Sequence, residues 1–167
     1  VTPAFVEALL AFCEGRLGEA AAAAERALRA EPWRWEAAVL AGDVAVAELD
    51  RARRAGDSDG VRRALDSADG RYRRATDIGR SEPAAHAARC GLAALAMELA
   101  IHDGGEDAEA WYGEAKESCG AALEVDADHL DALLKLTSVE VFAGRQRAGA
   151  GGDPLPVYGN ALAAAEH

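Results

Sequence analysis

The residues that could do chemistry in this chain are a few histidines, cysteines and carboxylates. His86 and Cys90 stand four residues apart, so a helix would place both side chains on one face as two metal ligands. A structural zinc site needs about four ligands. His129 lies in DADHLD, which is rich in carboxylates. Because neither group completes a ligand set, we expect no metal and no cofactor.

The segment that begins at Asp103 partly matches a calcium-binding loop. Asp107 follows four residues later, and Glu114 stands at the closing position. However, Gly105 has no side chain to act as a ligand, and Ala108 stands where the loop needs its turn glycine. This match is incomplete, and no calcium site is predicted.

Enzymatic chemistry is the competing class of function. Di-iron chemistry in a helical bundle needs a Glu-x-x-His motif from each of two helices, and the sequence contains none. A nucleophilic Cys13 or Cys119 would need a nearby histidine and a cationic setting, whereas Cys119 falls at a core-facing position. The sequence also lacks a glycine-rich nucleotide loop and a kinase catalytic-loop triplet. We predict that this chain is not itself an enzyme. A metal-dependent helical-bundle enzyme is a remote alternative.

The three cysteines at positions 13, 90 and 119 form an odd set without a short CxxC spacing. This pattern argues against a disulfide framework and favours a reducing compartment, so cytoplasmic localisation is expected. The apolar run GLAALAMELAI is too short to span a membrane and carries Glu98. Because the sequence does not begin with Met, we expect a fragment of a longer protein.

The formal net charge of −11 disfavours attraction to nucleic acid and to anionic membrane surfaces. Neutral or basic protein partners fit this charge better. The charge is uneven, because residues 50–90 carry a net charge of +3 and residues 91–142 carry −10. Solvated helix faces explain this layout, and head-to-tail association is an alternative.

Abundant alanine and few β-branched or aromatic residues predict an all-α fold. Turn signals at glycines, prolines and aspartates divide the chain into eight predicted helices. The predicted spans are 3–14, 17–30, 33–55, 59–79, 83–102, 107–125, 129–144 and 155–167.

An internal repeat of 46 to 48 residues runs through these helices. Its marker is a pair of alanines seven residues apart, which occurs at Ala20 and Ala27, at Ala68 and Ala75, at Ala115 and Ala122, and begins again at Ala161. Residues seven apart lie on one side of a helix, so the missing bulk lets helix axes approach closely. A period of this length with two helices in each unit is typical of an α-solenoid.

The first repeat resembles the tetratricopeptide repeat (TPR) family through Gly15, Ala20, Ala27, Leu28 and Pro32, with Ala8 in the preceding helix and Gly42 in the next unit. The third repeat matches through Ala93, Ala115, Ala122, Leu123, Val125 and Asp126. The resemblance implies a right-handed α-solenoid of antiparallel helix pairs in one domain, 1–167. Its units would be 1–32, 33–83, 84–128 and a truncated 129–167. The long units also resemble, more weakly, the helical arrays after the catalytic domain of large bacterial serine/threonine kinases.

The TPR resemblance implies a non-catalytic module that binds a peptide or protein on its concave face. The weaker resemblance to the kinase-attached arrays implies that this module is the sensor or docking region of a signalling kinase. The implied contact residues are Phe5, Leu9, Phe12, Val39, Asp43, Val46, Cys90, Ala94, Met97, Leu134, Ser138, Val141 and Phe142. Trp33 and Trp35 either join repeats or expose an aromatic contact. The alternative function is a structural spacer or self-assembly element, and the truncated last repeat suggests a homodimer.

Overall fold

A computed structural model describes residues 3–102 and 107–165, and every regular element in these ranges is an α-helix. The helices are α1 (Pro3–Cys13), α2 (Leu17–Ala30), α3 (Trp35–Ala55), α4 (Ser58–Ile78), α5 (Pro83–His102), α6 (Ala108–Val125), α7 (Leu130–Gly149) and α8 (Leu155–Ala165). The predicted all-α class is therefore confirmed. Residues 103–106, which contain the first four positions of the calcium-like segment, lie outside the described ranges.

The helix boundaries follow the local turn signals. Asp57 precedes α4, and its side chain accepts a 2.8 Å hydrogen bond from the N–H of Gly60, as expected for an N-cap. Helix α3 is followed by Gly56, whose φ of +70° is easily reached only by glycine. Helix α7 runs to Gly149 instead of the predicted residue 144. Gly144 lies inside the helix, where the ring of Tyr158 packs directly on it.

The chain divides into two compact units, Val1–Arg80 with α1 to α4 and Ser81–His167 with α5 to α8. In the first unit α1 packs on α2, α3 packs on α4, and both α1 and α2 contact α3. In the second unit α5 packs on α6, α7 packs on α8, and both α5 and α6 contact α7. The two units thus share one scheme of helix contacts.

Helices α3 and α4 contact each other closely at positions where one of them carries, or is followed by, a glycine. The first residue of α3, Trp35, lies against Gly79, which follows the end of α4. Midway along the pair, the ring of Tyr72 lies on Gly42. Small residues at these positions let the two backbones approach.

The repeated alanines lie in the helix contacts, as predicted. Ala20 and Ala27 on α2, Ala68 and Ala75 on α4, and Ala115 and Ala122 on α6 are all completely buried, and Ala161 on α8 is also buried. Each is surrounded by protein although it contributes only a methyl group. Close packing between helices, rather than large apolar side chains, therefore builds much of the interior.

The core of the second unit also contains larger side chains. Its buried residues are Cys90, Ala93, Met97, Tyr112, Ala115, Cys119, Val139, Ala143 and Val157, contributed by all four helices. Helix α5 belongs to this core. It is also the one helix in the described ranges that is long and apolar enough to cross a membrane by length and composition. Sequence analysis considered only the central run GLAALAMELAI of this helix and left out its alanine-rich first two turns, which lengthen the apolar segment.

Candidate functional site

Most of the predicted contact residues of the first unit are at least half-buried within that unit. Phe5 and Phe12 are half-buried and pack against alanine-rich core clusters. Asp43 accepts a 2.6 Å hydrogen bond from the hydroxyl of Tyr72, and Val39 and Val46 are half-buried. Leu9 is the predicted contact residue of this unit that remains exposed.

In the second unit, the predicted contact residues separate into buried and exposed sets. Met97 is 0% exposed, so its side chain has no surface to offer a partner, and Ala94 and Phe142 pack against the same core. Leu134 is 59% exposed, and Ser138 is exposed one turn later. The predicted contact residues thus include core positions, such as Met97 on α5, and surface positions, such as Leu134 on α7.

The exposed set forms one face of α7. Leu130 is 68% exposed and precedes Leu134 by four residues, and the exposed Ser138 and the half-buried Val141 continue the line. Residues at this spacing lie on the same side of a helix. We call Leu130, Leu134, Ser138 and Val141 the α7 face. Leucines exposed to this degree lose favourable burial, so a partner covering them would gain about 25 cal/mol per Å² of apolar surface.

A second feature is an open cavity of about 330 Å³ in the same unit. We call it the α6–α8 cavity. Its lining residues are Lys116 and Leu123 of α6, Leu133, Leu136 and Glu140 of α7, and Asn160, Ala163 and Ala164 of α8. Leu133 directly precedes Leu134 of the α7 face, so the cavity and the exposed face are neighbouring sides of one helix.

Glu140 is the unusual residue of this cavity, because a carboxylate that is 2% exposed needs polar partners. The hydroxyl of Tyr112 donates a 2.8 Å hydrogen bond to Oε2 of Glu140, and Lys116 Nζ lies 3.6 Å from Oε1. The same Nζ lies 5.2 Å from the centroid of the Tyr112 ring. Burial, with the hydrogen bond and charge of Glu140, raises the pKa of Tyr112 to about 12. Tyr112 therefore stays protonated and remains a donor at neutral pH.

Cys90 and Cys119 form a disulfide between α5 and α6, with a Cα–Cα distance of 5.2 Å. The prediction that no disulfide forms was wrong, and Cys119 is neither a free thiol nor a nucleophile. The pairing arises because both cysteines face the core from adjacent helices, a relationship that short sequence spacing does not reveal. Cys13 is the exposed free cysteine. The expected cytoplasmic localisation rested on three unpaired cysteines, and two of the three are paired.

The disulfide also removes Cys90 as a metal ligand beside His86. Within residues 3–102 and 107–165, no group of three or more histidine, cysteine or acidic side chains is placed to hold a metal ion. Glu114 of the calcium-like segment forms an ion pair with Arg89 of α5. Cys90 and Glu114 are thus each engaged with another residue of the second unit.

The tryptophans divide between surface and interior. Trp33 is 71% exposed, whereas Trp35 is half-buried against Gly79. Trp111 packs against the core of the second unit. Trp33 thus fits an exposed aromatic contact, and Trp35 fits the role of joining two helices.

No protein-family model matches the chain, and no curated protein sequence matches it. The candidate features are therefore defined by their geometry alone. Leu134 and Ser138 were predicted from the sequence as contact residues, whereas Leu130, Glu140 and the cavity were not predicted. The signal for Glu140 was present, since it is the one charged residue within the apolar run SVEVFAG.

Proposed function

We propose that the chain is a non-catalytic interaction module that binds a neutral or basic protein segment through the α7 face. The exposure of Leu130 and Leu134 on successive turns of one helix carries this proposal. Two large apolar side chains exposed on successive turns are typical of a surface that receives apolar anchors from a partner. Its TPR-like architecture, with antiparallel helix pairs stacked as a solenoid, and a docking role beside a signalling kinase are parts of the same proposal.

Charge supports the choice of partner. The second unit contains five Lys and Arg against fifteen Asp and Glu, a net charge of −10, whereas the first unit has a net charge of −1. The long-range field of the second unit therefore attracts basic segments and repels acidic ones.

Selection from a displayed peptide library tests this function directly. The wild-type chain is the bait, and Leu134→Glu is the counter-selection bait, since it adds charge at an exposed position without altering the core. We expect basic peptides with apolar anchors that bind the wild type and lose about tenfold or more affinity for Leu134→Glu. Peptides that bind both proteins equally would contradict a role for the α7 face and favour the spacer function.

Self-association through α8 is a second candidate function, with its own observation. Leu155 and Leu162 are exposed seven residues apart, and Leu155–Ala165 contains no charged residue. Two copies could therefore meet along α8 without bringing like charges together. Sedimentation at several concentrations tests this, and a strictly monomeric chain, or a dimer that persists in Leu162→Glu, would contradict it.

A further inference from the structure

Glu140 brings a carboxylate into the lining of the α6–α8 cavity. Its Oε2 accepts a hydrogen bond from the Tyr112 hydroxyl. Lys116 Nζ lies 3.6 Å from Oε1, which is within ion-pair distance but beyond hydrogen-bond distance. A carboxylate oxygen in the lining of an open cavity can accept a hydrogen bond from a donor that enters the cavity.

The walls of the cavity suit an apolar stem. Leu123, Leu133 and Leu136 supply branched aliphatic surface, and Ala163 leaves space on the side of α8. The volume of about 330 Å³ is at the lower end of the range for small-ligand pockets. A chain of several methylene groups fits such a space and would be removed from water by entering it.

Charge selects the group at the end of that stem. The second unit has a net charge of −10, so its field concentrates cations. Lys116 is the internal competitor, because its ammonium lies nearest to Oε1. Its side chain is 45% exposed and its Nζ also contacts the Tyr112 ring, so it can leave Oε1 without being buried elsewhere.

We propose that the α6–α8 cavity binds an ammonium or guanidinium group on an apolar stem, with Oε1 of Glu140 accepting its hydrogen bond. The source is a lysine or arginine side chain of the partner or a free alkylamine. The partner side chain rests on the proposed function, and the cation-binding chemistry stands independently of it. Glu140 would then give the α7 face its preference for basic segments.

A titration with hexylammonium, followed by chemical shifts of the intact chain, tests the cation site. Hexanol is the matched neutral probe. We expect saturable shifts at Glu140, Leu133 and Leu136 with hexylammonium, and binding about tenfold weaker with hexanol, because a charge-assisted hydrogen bond is lost. Equal affinities for the two probes, or no shifts at these residues, would overturn the proposal.

Two variants separate the contributions of the two charged residues. Glu140→Gln keeps an oxygen that accepts from Tyr112 but removes the charge, and we expect it to weaken hexylammonium binding about tenfold. Lys116→Met removes the competing ammonium and keeps the stem, so binding should tighten several-fold. Glu117→Gln, at an exposed position of α6, is the control for net charge and should change little. Unchanged affinity in both Glu140→Gln and Lys116→Met would overturn the proposal.

The selected peptides distinguish the source of the cation. A partner side chain predicts that Glu140→Gln weakens a peptide that contains arginine or lysine, and that replacing that residue abolishes the difference between wild type and variant. A peptide that is insensitive to Glu140→Gln while hexylammonium still binds would assign the cavity to a free amine. If no peptide is selected at all, the proposed function is contradicted, and the hexylammonium titration still decides whether the cavity binds a cation.

Discussion

The ring of Tyr72 lies so close to Gly42 that a Cβ at position 42 would stand 2.5 Å from Cε1 of the ring. The hydroxyl of Tyr72 donates a hydrogen bond to Asp43, the next residue of α3, so the ring is fixed at both ends. The second unit has the same kind of contact, with Tyr158 of α8 on Gly144 of α7. In each unit, a tyrosine ring on one helix thus packs on a glycine of the paired helix, and the missing side chain lets the two helices approach closely.

Gly42→Ala should destabilise the first unit. The added methyl group collides with a buried ring, which costs about 1–3 kcal/mol and exceeds the gain of up to about 1 kcal/mol from helix propensity. Gly70→Ala is the matched control, because it lies in α4 with open space around its Cβ position. Denaturant unfolding should show a lower free energy of unfolding for the first variant and an equal or higher one for the second. A gain from Gly42→Ala would contradict the contact.

The repeated alanines make a second prediction. Ala20 is completely buried on α2, whereas Ala22 of the same helix is exposed. Ala20→Leu should lower the free energy of unfolding by about 1–3 kcal/mol through overpacking. Ala22→Leu should change it by no more than about 0.5 kcal/mol. Equal effects in thermal or denaturant unfolding would show that Ala20 is not a close-packing position.

The disulfide between Cys90 and Cys119 predicts the number of reactive thiols. The denatured, unreduced chain should show one reactive thiol, that of Cys13, and reduction should raise the number to three. A Cys90→Ala, Cys119→Ala double variant should lose about 2–4 kcal/mol of stability, because its unfolded chain is less constrained. Cys13→Ser is the control and should unfold like the wild type. Three thiols before reduction would disprove the pairing.

Stability should fall at alkaline pH through Tyr112. Its pKa is raised to about 12 in the folded chain, above the value of 10.0 for a free tyrosine. The unfolded chain therefore releases this proton first, so stability is fully present below about pH 10 and is lost as the pH rises toward 12. We expect this loss to reach the order of 1–2 kcal/mol. Tyr112→Phe should show a shallower decline than the wild type between about pH 10 and 12, and identical slopes would contradict the shift.

Helix content and much of the helix packing were predictable from the sequence. The helices are long, with glycine, aspartate or proline at their ends, and these local signals act within a few residues. The burial of Ala68, Ala115 and the other repeat markers was predictable too, because seven-residue spacing keeps one side of a helix in contact. Gly144 was misread as a helix end, since its role depends on Tyr158 of another helix.

Most of the candidate site was beyond sequence reasoning. Whether Leu134 or Met97 is exposed depends on which helices cover each face, and both residues look alike as apolar positions. Glu140 was overlooked because a glutamate in a helix is normally solvated, whereas here Tyr112 and Lys116 from another helix compensate its burial. The disulfide likewise depends on the spatial approach of α5 and α6.

The most direct test of partner binding is a chemical-shift map of the wild-type chain with one selected basic peptide. The account predicts saturable shifts at Leu130, Leu134 and Ser138, and loss of these shifts in Leu134→Glu while the core residue Val139 keeps its wild-type resonance. Saturable binding that shifts other residues and leaves the α7 face unchanged would contradict the account.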